Sequence, residues 1–239
     1  MRTTLITAGV ILGMLNTAQS SAQPNWPQFR GDSAGVVVDD PSLPDTWGPQ
    51  ENVLWSIDVP GRSWSSPIVW EDHVFVLSVV NIENAEDPLR PIEDYRARSL
   101  GGAMTAADIV PATGTLRWLI YDVDLQTGKI RWERILHEAI PSEPTHQKSS
   151  FAAETPVTDG ENLYVYLGDI GLYAIDFDGG LRWSIPMEWL PRRNWGAAAS
   201  PVVHDGRLYL VNDNENQSYV AAFNTSTGEE LWRTDRQER

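Results

Sequence analysis

The chain has 239 residues and a formal net charge of -15, with 11 Trp, 7 Tyr and no Cys. An apolar fraction of 41% is sufficient for a buried core, which excludes an intrinsically disordered chain. The absence of Cys excludes disulfides, iron–sulfur clusters, Cys-ligated zinc, thiol catalysis and a lipid anchor on an N-terminal Cys. Because a strongly acidic surface repels phosphate backbones, nucleic acid is not an expected partner.

Residues 1–22 have the three parts of a secretory signal peptide. Arg2 provides the positive start, residues 5–15 form an apolar run, and small residues at 20–22 offer a cleavage site before Gln23. A membrane anchor is the alternative, but the run is shorter than the roughly 20 residues that span a bilayer core. We therefore predict cleavage, export to the periplasm or the extracellular space, and no membrane anchor.

Residues 23–52 form a Pro-rich lead segment that begins with the string NWPQFRG. A strand-like run around Trp55 follows it, and no partner strands precede this run. We therefore predict an orphan N-terminal strand, which would pair elsewhere so that its edge is not exposed.

Two sequence anchors recur in residues 53–239. A Gly is followed four residues later by Trp in TGKIRW, GGLRW and TGEELW, and these Trp residues lie about 50 positions apart. A hydroxyl residue precedes Pro at Ser66, Thr155 and Ser200, and an apolar pair, an acidic turn and a strand-like run follow each one. No long window shows the apolar spacing of a helix. A period near 50 with four strands per unit is typical of a propeller blade.

The predicted fold is therefore an all-β propeller of four-stranded antiparallel blades. Residues 53–239 form about three blades plus the orphan N-terminal strand, which is an incomplete ring. Blade 1 is predicted at about 62–136 with an insert at 81–116, blade 2 at about 146–187, and blade 3 at about 195–235. A β-sandwich is the alternative, but it would not repeat the same Trp in each unit. Since propellers usually have 4–8 blades, we expect the sequence to be a fragment.

The Trp repeat resembles the tryptophan-docking motif of pyrroloquinoline-quinone-like (PQQ-like) propellers, in which Ala-x-Asp-x-x-Thr-Gly-Lys-x-x-Trp joins two strands. The second unit has one residue deleted, and the third has Asn in place of Asp. The resemblance implies that each indole packs against the neighbouring blade while its N–H finds a backbone acceptor. The matching residues are Asp124, Thr127, Gly128, Lys129 and Trp132, then Asp176, Gly179 and Trp183, then Asn224, Thr227, Gly228 and Trp232.

Two groups of proteins use this blade: quinoprotein dehydrogenases and the non-enzymatic scaffold of outer-membrane protein assembly. The NWPQFRG string and residues 146–160 look like a third group, the exported quinoprotein-like propellers of planctomycete-type bacteria. The resemblance covers nearly all of residues 23–239 and is specific for fold rather than activity. Quinoprotein chemistry would require PQQ, calcium and an Asp base, but no residue can be matched to the base or to the calcium ligands. No cofactor is therefore assigned.

His146, Lys148 and Glu154 form the candidate polar cluster. They precede the predicted inner strand of blade 2 and would face the central channel, where they could bind an anion or shuttle protons; a solvated loop is the alternative. Residues 212–216 are rich in oxygen ligands but lack the spacing of a calcium loop, so we predict a polar hairpin there. The leading hypothesis is a non-catalytic exported propeller that binds a protein or small ligand. A PQQ-dependent alcohol or sugar dehydrogenase is the alternative.

Overall fold

The computed structural model describes residues 25–37, 39–83, 109–110, 114–142, 144–146, 149–168, 170–187, 199–214 and 217–237. Within these ranges the regular secondary structure consists of strands without any helix, and therefore contains no helix long and apolar enough to cross a membrane. The strands form three four-stranded antiparallel sheets and one two-stranded sheet. The prediction of an all-β fold made of propeller blades in an incomplete ring is confirmed.

The strands are short because β-branched and aromatic runs alternate with turn residues such as Thr-Gly and Asp-Gly. In chain order they are β1 (Ile68–Trp70), β2 (His73–Asn81), β3 (Ile109–Val110), β4 (Leu116–Asp124), β5 (Ile130–Ala139), β6 (Thr145–His146), β7 (Val157–Thr158), β8 (Asn162–Leu167), β9 (Gly171–Asp176), β10 (Leu181–Ile185), β11 (Val202–His204), β12 (Arg207–Asn212), β13 (Ser218–Asn224) and β14 (Glu230–Arg236).

Each large sheet is one blade. The strand orders are β1-β2-β4-β5 in blade 1, β7-β8-β9-β10 in blade 2 and β11-β12-β13-β14 in blade 3. We call the first strand of each blade the inner strand and the last one the outer strand. The insert of blade 1 contains β3, which pairs with β6 ahead of blade 2.

One cross-strand row repeats in all three blades. Alternate residues of a strand point to opposite faces, so residues paired across the sheet lie on the same face. In blades 1 and 2 this face packs against the next blade and forms the two main apolar cores. The rows are Ile68–Phe75–Asp122–Trp132, Val157–Tyr164–Ala174–Trp183 and Val202–Tyr209–Ala222–Trp232.

The outer-strand indoles of blades 1 and 2 dock on the following blade. Trp132 Nε1 donates a hydrogen bond to Phe177 O at 2.8 Å, and Trp183 Nε1 donates one to Thr225 O at 2.8 Å. The Trp183 ring lies so close to the turn that a Cβ on Gly228 would come within 2.7 Å of it. The Gly of the repeat is therefore required both for its left-handed backbone and for the space that the indole occupies.

The polar residue of the repeat holds the docking turn. Asp124 Oδ1 accepts hydrogen bonds from the backbone N and the Oγ1 of Thr127, both at 2.8 Å. Asn224 Oδ1 accepts one from Thr227 N at 3.1 Å, which explains why Asn can replace Asp. In the shorter turn of blade 2, Asp176 Oδ1 accepts from two backbone N–H groups.

Trp232 differs from the expectation that each docking indole packs against the neighbouring blade. It lies on the outer strand of blade 3, yet it remains 42% exposed. No described sheet covers the face of blade 3 that carries its row, and no described turn receives its indole. Its ring packs at 6.3 Å from the ring of Tyr209 in its own blade.

Trp55 occupies the equivalent docking position ahead of blade 1. Its Nε1 donates a hydrogen bond to Leu125 O at 2.8 Å, and a Cβ on Gly128 would lie 2.6 Å from its ring. Ile57 and Val59 pack on the same face of blade 1, while the residues between them are exposed. Residues 53–59 therefore sit where the outer strand of a preceding blade would lie.

The hydroxyl residue before Pro links each blade to the next. Ser66 N donates a hydrogen bond to Thr155 Oγ1 at 3.0 Å, and Thr155 N donates one to Ser200 Oγ at 3.0 Å. In both contacts the side-chain hydroxyl of the anchor residue accepts a hydrogen bond from a backbone N–H group of the preceding blade. This explains why the second sequence anchor recurs ahead of every inner strand.

We expect the buried hydroxyl of Thr155 to stabilise the contact between blades 1 and 2. Thr155→Val keeps the side-chain volume but leaves the Ser66 N–H without an acceptor, which should cost about 1–3 kcal/mol of unfolding free energy. Thr155→Ser keeps the acceptor and serves as the control. Urea denaturation of the three proteins measures the difference, and an equal loss for both substitutions would show that the hydroxyl contributes little.

Candidate functional site

The N-terminal segment runs along the inner strands of two blades. Trp26 N donates to Val69 O at 2.8 Å, and Val69 N donates to Trp26 O at 2.9 Å, so the segment adds to the edge of β1. Pro27 O then accepts from Thr158 N of β7 at 2.9 Å. Asn25 Oδ1 accepts from Glu71 N at 2.8 Å. The segment therefore covers the inner edges of blades 1 and 2.

A pocket of about 420 Å³ opens where this segment leaves β7. It lies among residues that immediately precede the inner strands of all three blades. Trp64 belongs to blade 1 and is held by its backbone N–H, which donates to Ala152 O at 3.0 Å. The lining residues are Gln28, Phe29, Trp64, Ala153, Ser200, Pro201 and Val202.

The chemistry of the pocket is apolar and aromatic. Phe29 and Trp64 are 49% and 59% exposed, and the guanidinium of Arg30 lies over the Phe29 ring at 5.4 Å from its centroid. Gln28 and Ser200 supply the polar side chains of the lining, and no lining side chain is ionisable. Ser200 Oγ already accepts a hydrogen bond from Thr155 N. The arrangement can bind an apolar or aromatic group, but its lining offers no acid or base that could activate the hydroxyl of Ser200.

The predicted polar cluster remains a prediction. His146 lies on β6, half-buried and paired with Ile109 of β3. Glu154 is buried just ahead of β7, and its Oε2 accepts a hydrogen bond from Ala153 N at 3.1 Å. Lys148 lies outside the described residues, so the structure does not place the three side chains together.

Residues 212–214, the described part of the string 212–216, form hydrogen bonds at the end of the hairpin between β12 and β13. Asn212 is buried and donates through Nδ2 to Tyr219 Oη at 3.1 Å. Asp213 pairs with Arg236. Asn214 Oδ1 accepts from Gln217 N at 2.8 Å. The described oxygen atoms of this string therefore bind protein groups.

A charged cluster that sequence reasoning missed lies between blades 1 and 2. Asp122 is fully buried; its Oδ2 lies 2.9 Å from His73 Nδ1, and its Oδ1 has no hydrogen-bond partner among the described residues. Arg131 bridges Asp72 and Asp124 at 2.6 Å each.

Burial raises the pKa of Asp122, although the His73 hydrogen bond opposes this shift. The signal in the sequence is that Asp122 occupies the position at which blades 2 and 3 have Ala174 and Ala222.

We expect Asp122 to make the stability of the protein depend on pH. Its pKa is higher in the folded state than in the unfolded state, so its charged form destabilises the fold and this penalty disappears as the pH falls through the folded pKa. Asp122→Asn should therefore raise the unfolding free energy at pH 7 by about 1 kcal/mol, and the gain should shrink near pH 4. Thermal melts across this pH range measure it.

The control for this experiment is Asp72→Asn. The hydrogen bond from Arg131 lowers the pKa of Asp72, so its charged form favours the folded state. Removing that charge should lower the melting temperature at pH 7 rather than raise it. A gain in stability for both variants would indicate a general effect of net charge instead of the burial of Asp122.

The lining of the pocket does not fit the quinone cofactor PQQ. PQQ carries three carboxylates and would require cationic partners, whereas the pocket lining offers an amide, a hydroxyl and two aromatic rings. Within the described ranges, no group of three or more His, Asp or Glu side chains is arranged to hold a metal ion. No reaction step through this cofactor is therefore derived from the pocket.

Two segments singled out in the sequence line the pocket, but no pocket was predicted there. Gln28 and Phe29 belong to the NWPQFRG string, and Ser200 and Pro201 belong to the hydroxyl-Pro anchor. Trp64 was missed, although an aromatic residue two positions before the anchor Ser66 is a visible signal. What the sequence does not show is that these segments meet at the start of β11.

Comparisons with known proteins found a matching family model and similar solved structures. The family model described as outer membrane protein assembly factor BamB matches residues 116–239. No curated protein matches the chain. The europium-containing methanol dehydrogenase is a solved structure with 12% identity and a TM-score of 0.42, and the match covers 72% of this chain and 24% of that one.

Two further solved structures show a similar level of likeness. The quinohemoprotein alcohol dehydrogenase ADHIIG from Pseudomonas putida HK5 has 21% identity and a TM-score of 0.37, covering 53% of this chain and 20% of that one. BamB from Moraxella catarrhalis has 16% identity and a TM-score of 0.27, covering 53% of this chain and 50% of that one. The chain thus spans a quarter or less of the dehydrogenases and half of the assembly factor.

The family model covers the last strands of blade 1 and all of blades 2 and 3, which carry the docking repeats described above. The match extends over more than half of the 239 residues. The chain therefore belongs to the family of PQQ-like β-propellers whose model is described as outer membrane protein assembly factor BamB.

Proposed function

We propose that the protein is an exported binding module that holds a ligand at the inner rim of its blades and catalyses no reaction. The observation that carries this proposal is the pocket, whose lining contains two accessible aromatic rings and no ionisable side chain. A binding site requires a concave apolar surface with a few oriented polar groups, and the pocket meets this requirement. A hydrolytic or redox site would additionally require titratable or metal-binding groups at the same place.

The family supports this proposal without deciding it. An assembly factor and several dehydrogenases share the blade, so the fold by itself does not distinguish binding from catalysis. The composition of the pocket favours binding. Export is proposed on the pattern of residues 1–22 and agrees with a family description that names the outer membrane.

The experiment compares binding with turnover in the full-length protein. The protein is incubated with PQQ and calcium, and dye-linked oxidation of alcohols and aldose sugars is measured against a sample without quinone. We expect no difference between the two samples and no retention of PQQ in equilibrium dialysis. A quinoprotein dehydrogenase treated in the same way is the positive control. Quinone-dependent turnover would refute the proposal.

The proposal that the protein is exported leads to a separate prediction. Signal peptidase should remove residues 1–22, because a charged start, a short apolar run and small residues at the cleavage site are what it recognises. N-terminal sequencing of the protein from the exported fraction should therefore begin near Gln23. A retained Met1 in a membrane fraction would contradict this prediction and favour an anchor.

A further inference from the structure

We propose that the turn formed by Asp205 and Gly206 in blade 3 is a modification site, at which the aspartate converts spontaneously to isoaspartate through a cyclic succinimide. The turn joins β11 to β12, the first two strands of the blade. The inference concerns a covalent change of the chain itself and is independent of the proposed binding function.

The reaction requires an aspartate that is followed by a residue with an accessible backbone nitrogen. This nitrogen attacks the carbon of the protonated side-chain carboxyl; a C–N bond forms, a C–O bond breaks, and water leaves with the amide hydrogen. A second water then opens the ring. Cleavage at the main-chain carbonyl gives isoaspartate, whereas cleavage at the side-chain carbonyl restores aspartate. Glycine favours the attack because it has no Cβ to shield its nitrogen.

The fold protects the Asp-Gly pair of blade 2, which lies in the equivalent turn between β7 and β8. Asp159 Oδ1 accepts a hydrogen bond from Asn162 N at 2.8 Å, and its Oδ2 accepts one from Tyr164 Oη at 2.7 Å. The attacking nitrogen is also occupied, since Gly160 N donates to Thr158 Oγ1 at 3.0 Å. Both reacting groups of this pair are therefore held apart by hydrogen bonds.

A second Asp-Gly pair, at residues 178–179, is protected at its nitrogen. Gly179 N donates a hydrogen bond to Asp176 O at 3.0 Å. The indole of Trp132 lies over this glycine, and a Cβ built on it would come within 3.2 Å of the ring. The docking contact between blades 1 and 2 therefore restrains the turn in which this pair lies.

The pair in blade 3 has neither form of protection. The side chain of Asp205 is 81% exposed, and its ion-pair partner Arg207 lies at 4.0 Å. No described residue accepts a hydrogen bond from Gly206 N. The surroundings of the glycine are open, because a Cβ built on it would meet no atom nearer than 3.9 Å. Both reacting groups are thus accessible.

The backbone of this turn also favours local opening, which ring closure requires. Asp205 has a φ of 48°, in the left-handed region that is costly for a residue other than glycine. β11 has three residues and pairs with β12 along one side, while no described residue pairs with its other side. A short strand held on one side opens more easily than the interior of a sheet.

Isoaspartate would disturb the contacts around the turn because it adds a carbon atom to the backbone. His204 pairs with Arg207 directly beside the turn, so the register of β11 against β12 is affected. Gly206 O also accepts a hydrogen bond from Thr225 N at 3.2 Å, and Thr225 O is the carbonyl on which Trp183 docks. The modification therefore weakens β11 and the contact between blades 2 and 3.

The test incubates the full-length protein in ¹⁸O-labelled water at mildly acidic pH, because each passage through the succinimide introduces a labelled oxygen. Digestion after Glu in ordinary water then yields the peptides 155–161, 162–188 and 189–215, each with one Asp-Gly pair. Mass spectrometry should find label at Asp205 at least about tenfold faster than at the other two pairs, since their hydrogen bonds have to break first. In urea the three pairs should react at similar rates.

Asp205→Glu is the matched control. Glu71 occupies the equivalent turn of blade 1 with a φ of 52°, so the fold accepts Glu at this position. The longer side chain would have to form a six-membered ring, which closes far more slowly, so this variant should take up no label at residue 205. Prolonged incubation should lower the melting temperature of the wild type and leave that of Asp205→Glu unchanged.

Two results would overturn the inference. The first is equal labelling of the three pairs in the folded protein, which would mean that the fold does not protect any of them selectively. The second is label in peptide 189–215 that persists in Asp205→Glu, which would place the reaction at another residue of that peptide. Neither result bears on the proposed binding function, which is tested by quinone-dependent turnover.

Discussion

Removal of the indole at Trp132 or Trp183 is expected to lower the unfolding free energy by about 3–5 kcal/mol, whereas removal at Trp232 should cost about 1 kcal/mol or less. The first two rings fill the contact between successive blades and donate through Nε1 to a backbone oxygen at 2.8 Å. Trp232 is 42% exposed and contacts its own blade. All three residues lie at the same position of the repeat, so each one is a matched control for the others.

Denaturant unfolding of Trp132→Ala, Trp183→Ala and Trp232→Ala measures this difference. Trp183→Phe adds a further comparison, because it retains an aromatic ring but removes the donor to Thr225 O. Its loss should lie between those of the wild type and Trp183→Ala. Equal losses at the three Ala variants would mean that docking on the next blade contributes nothing beyond packing within a blade.

Gly228→Ala is expected to lower the unfolding free energy by about 3 kcal/mol or more, while Gly206→Ala should cost about 1–2 kcal/mol. Both glycines have a left-handed backbone, with φ of 75° and 69°. They differ in the space available to a side chain. A Cβ at Gly228 would lie 2.7 Å from the ring of Trp183, whereas at Gly206 the nearest atom would be 3.9 Å away.

A double-mutant cycle separates strain from displacement of the indole. Once Trp183 is replaced by Ala, the added methyl group at residue 228 has no ring to displace, so Gly228→Ala should then cost the backbone strain of about 1–2 kcal/mol. The same urea unfolding experiment provides all four values. A cost that is unchanged in the Trp183→Ala background would show that the loss comes from the turn alone.

The blades could be predicted because their signals are local. The runs of apolar and aromatic residues in β8 and β12 and the turn Gly at positions 128, 179 and 228 are visible within a few residues of sequence. The resemblance to a docking repeat then implied that a Trp packs on a neighbouring blade. It did not indicate how far that packing would extend, and Trp232 is exposed although it matches the motif as well as Trp183 does.

The candidate site was harder to predict because its parts are distant in sequence. Phe29, Trp64, Ala153 and Val202 come from four separate segments, and only the arrangement of the blades brings them to one pocket. The cluster predicted from proximity in sequence included Lys148, which lies outside the described residues. Polar residues that are neighbours in one loop were a weaker guide to the site than apolar residues that precede equivalent strands of different blades.

The sequence by itself determined the blade, its turns and its period of about 50 residues, since these depend on short strand-forming runs and turn chemistry over short distances. The tertiary structure alone decided which backbone carbonyl each indole reaches. It also decided that Asp122 is buried inside an apolar contact, at the position where the other blades have Ala. Only the structure shows that Trp26 and Pro27 cover two inner edges, while no described residue covers that of β11. These contacts join residues separated by more than 40 positions. They form because each blade has to bury its faces and satisfy its backbone groups against whatever the fold places beside it.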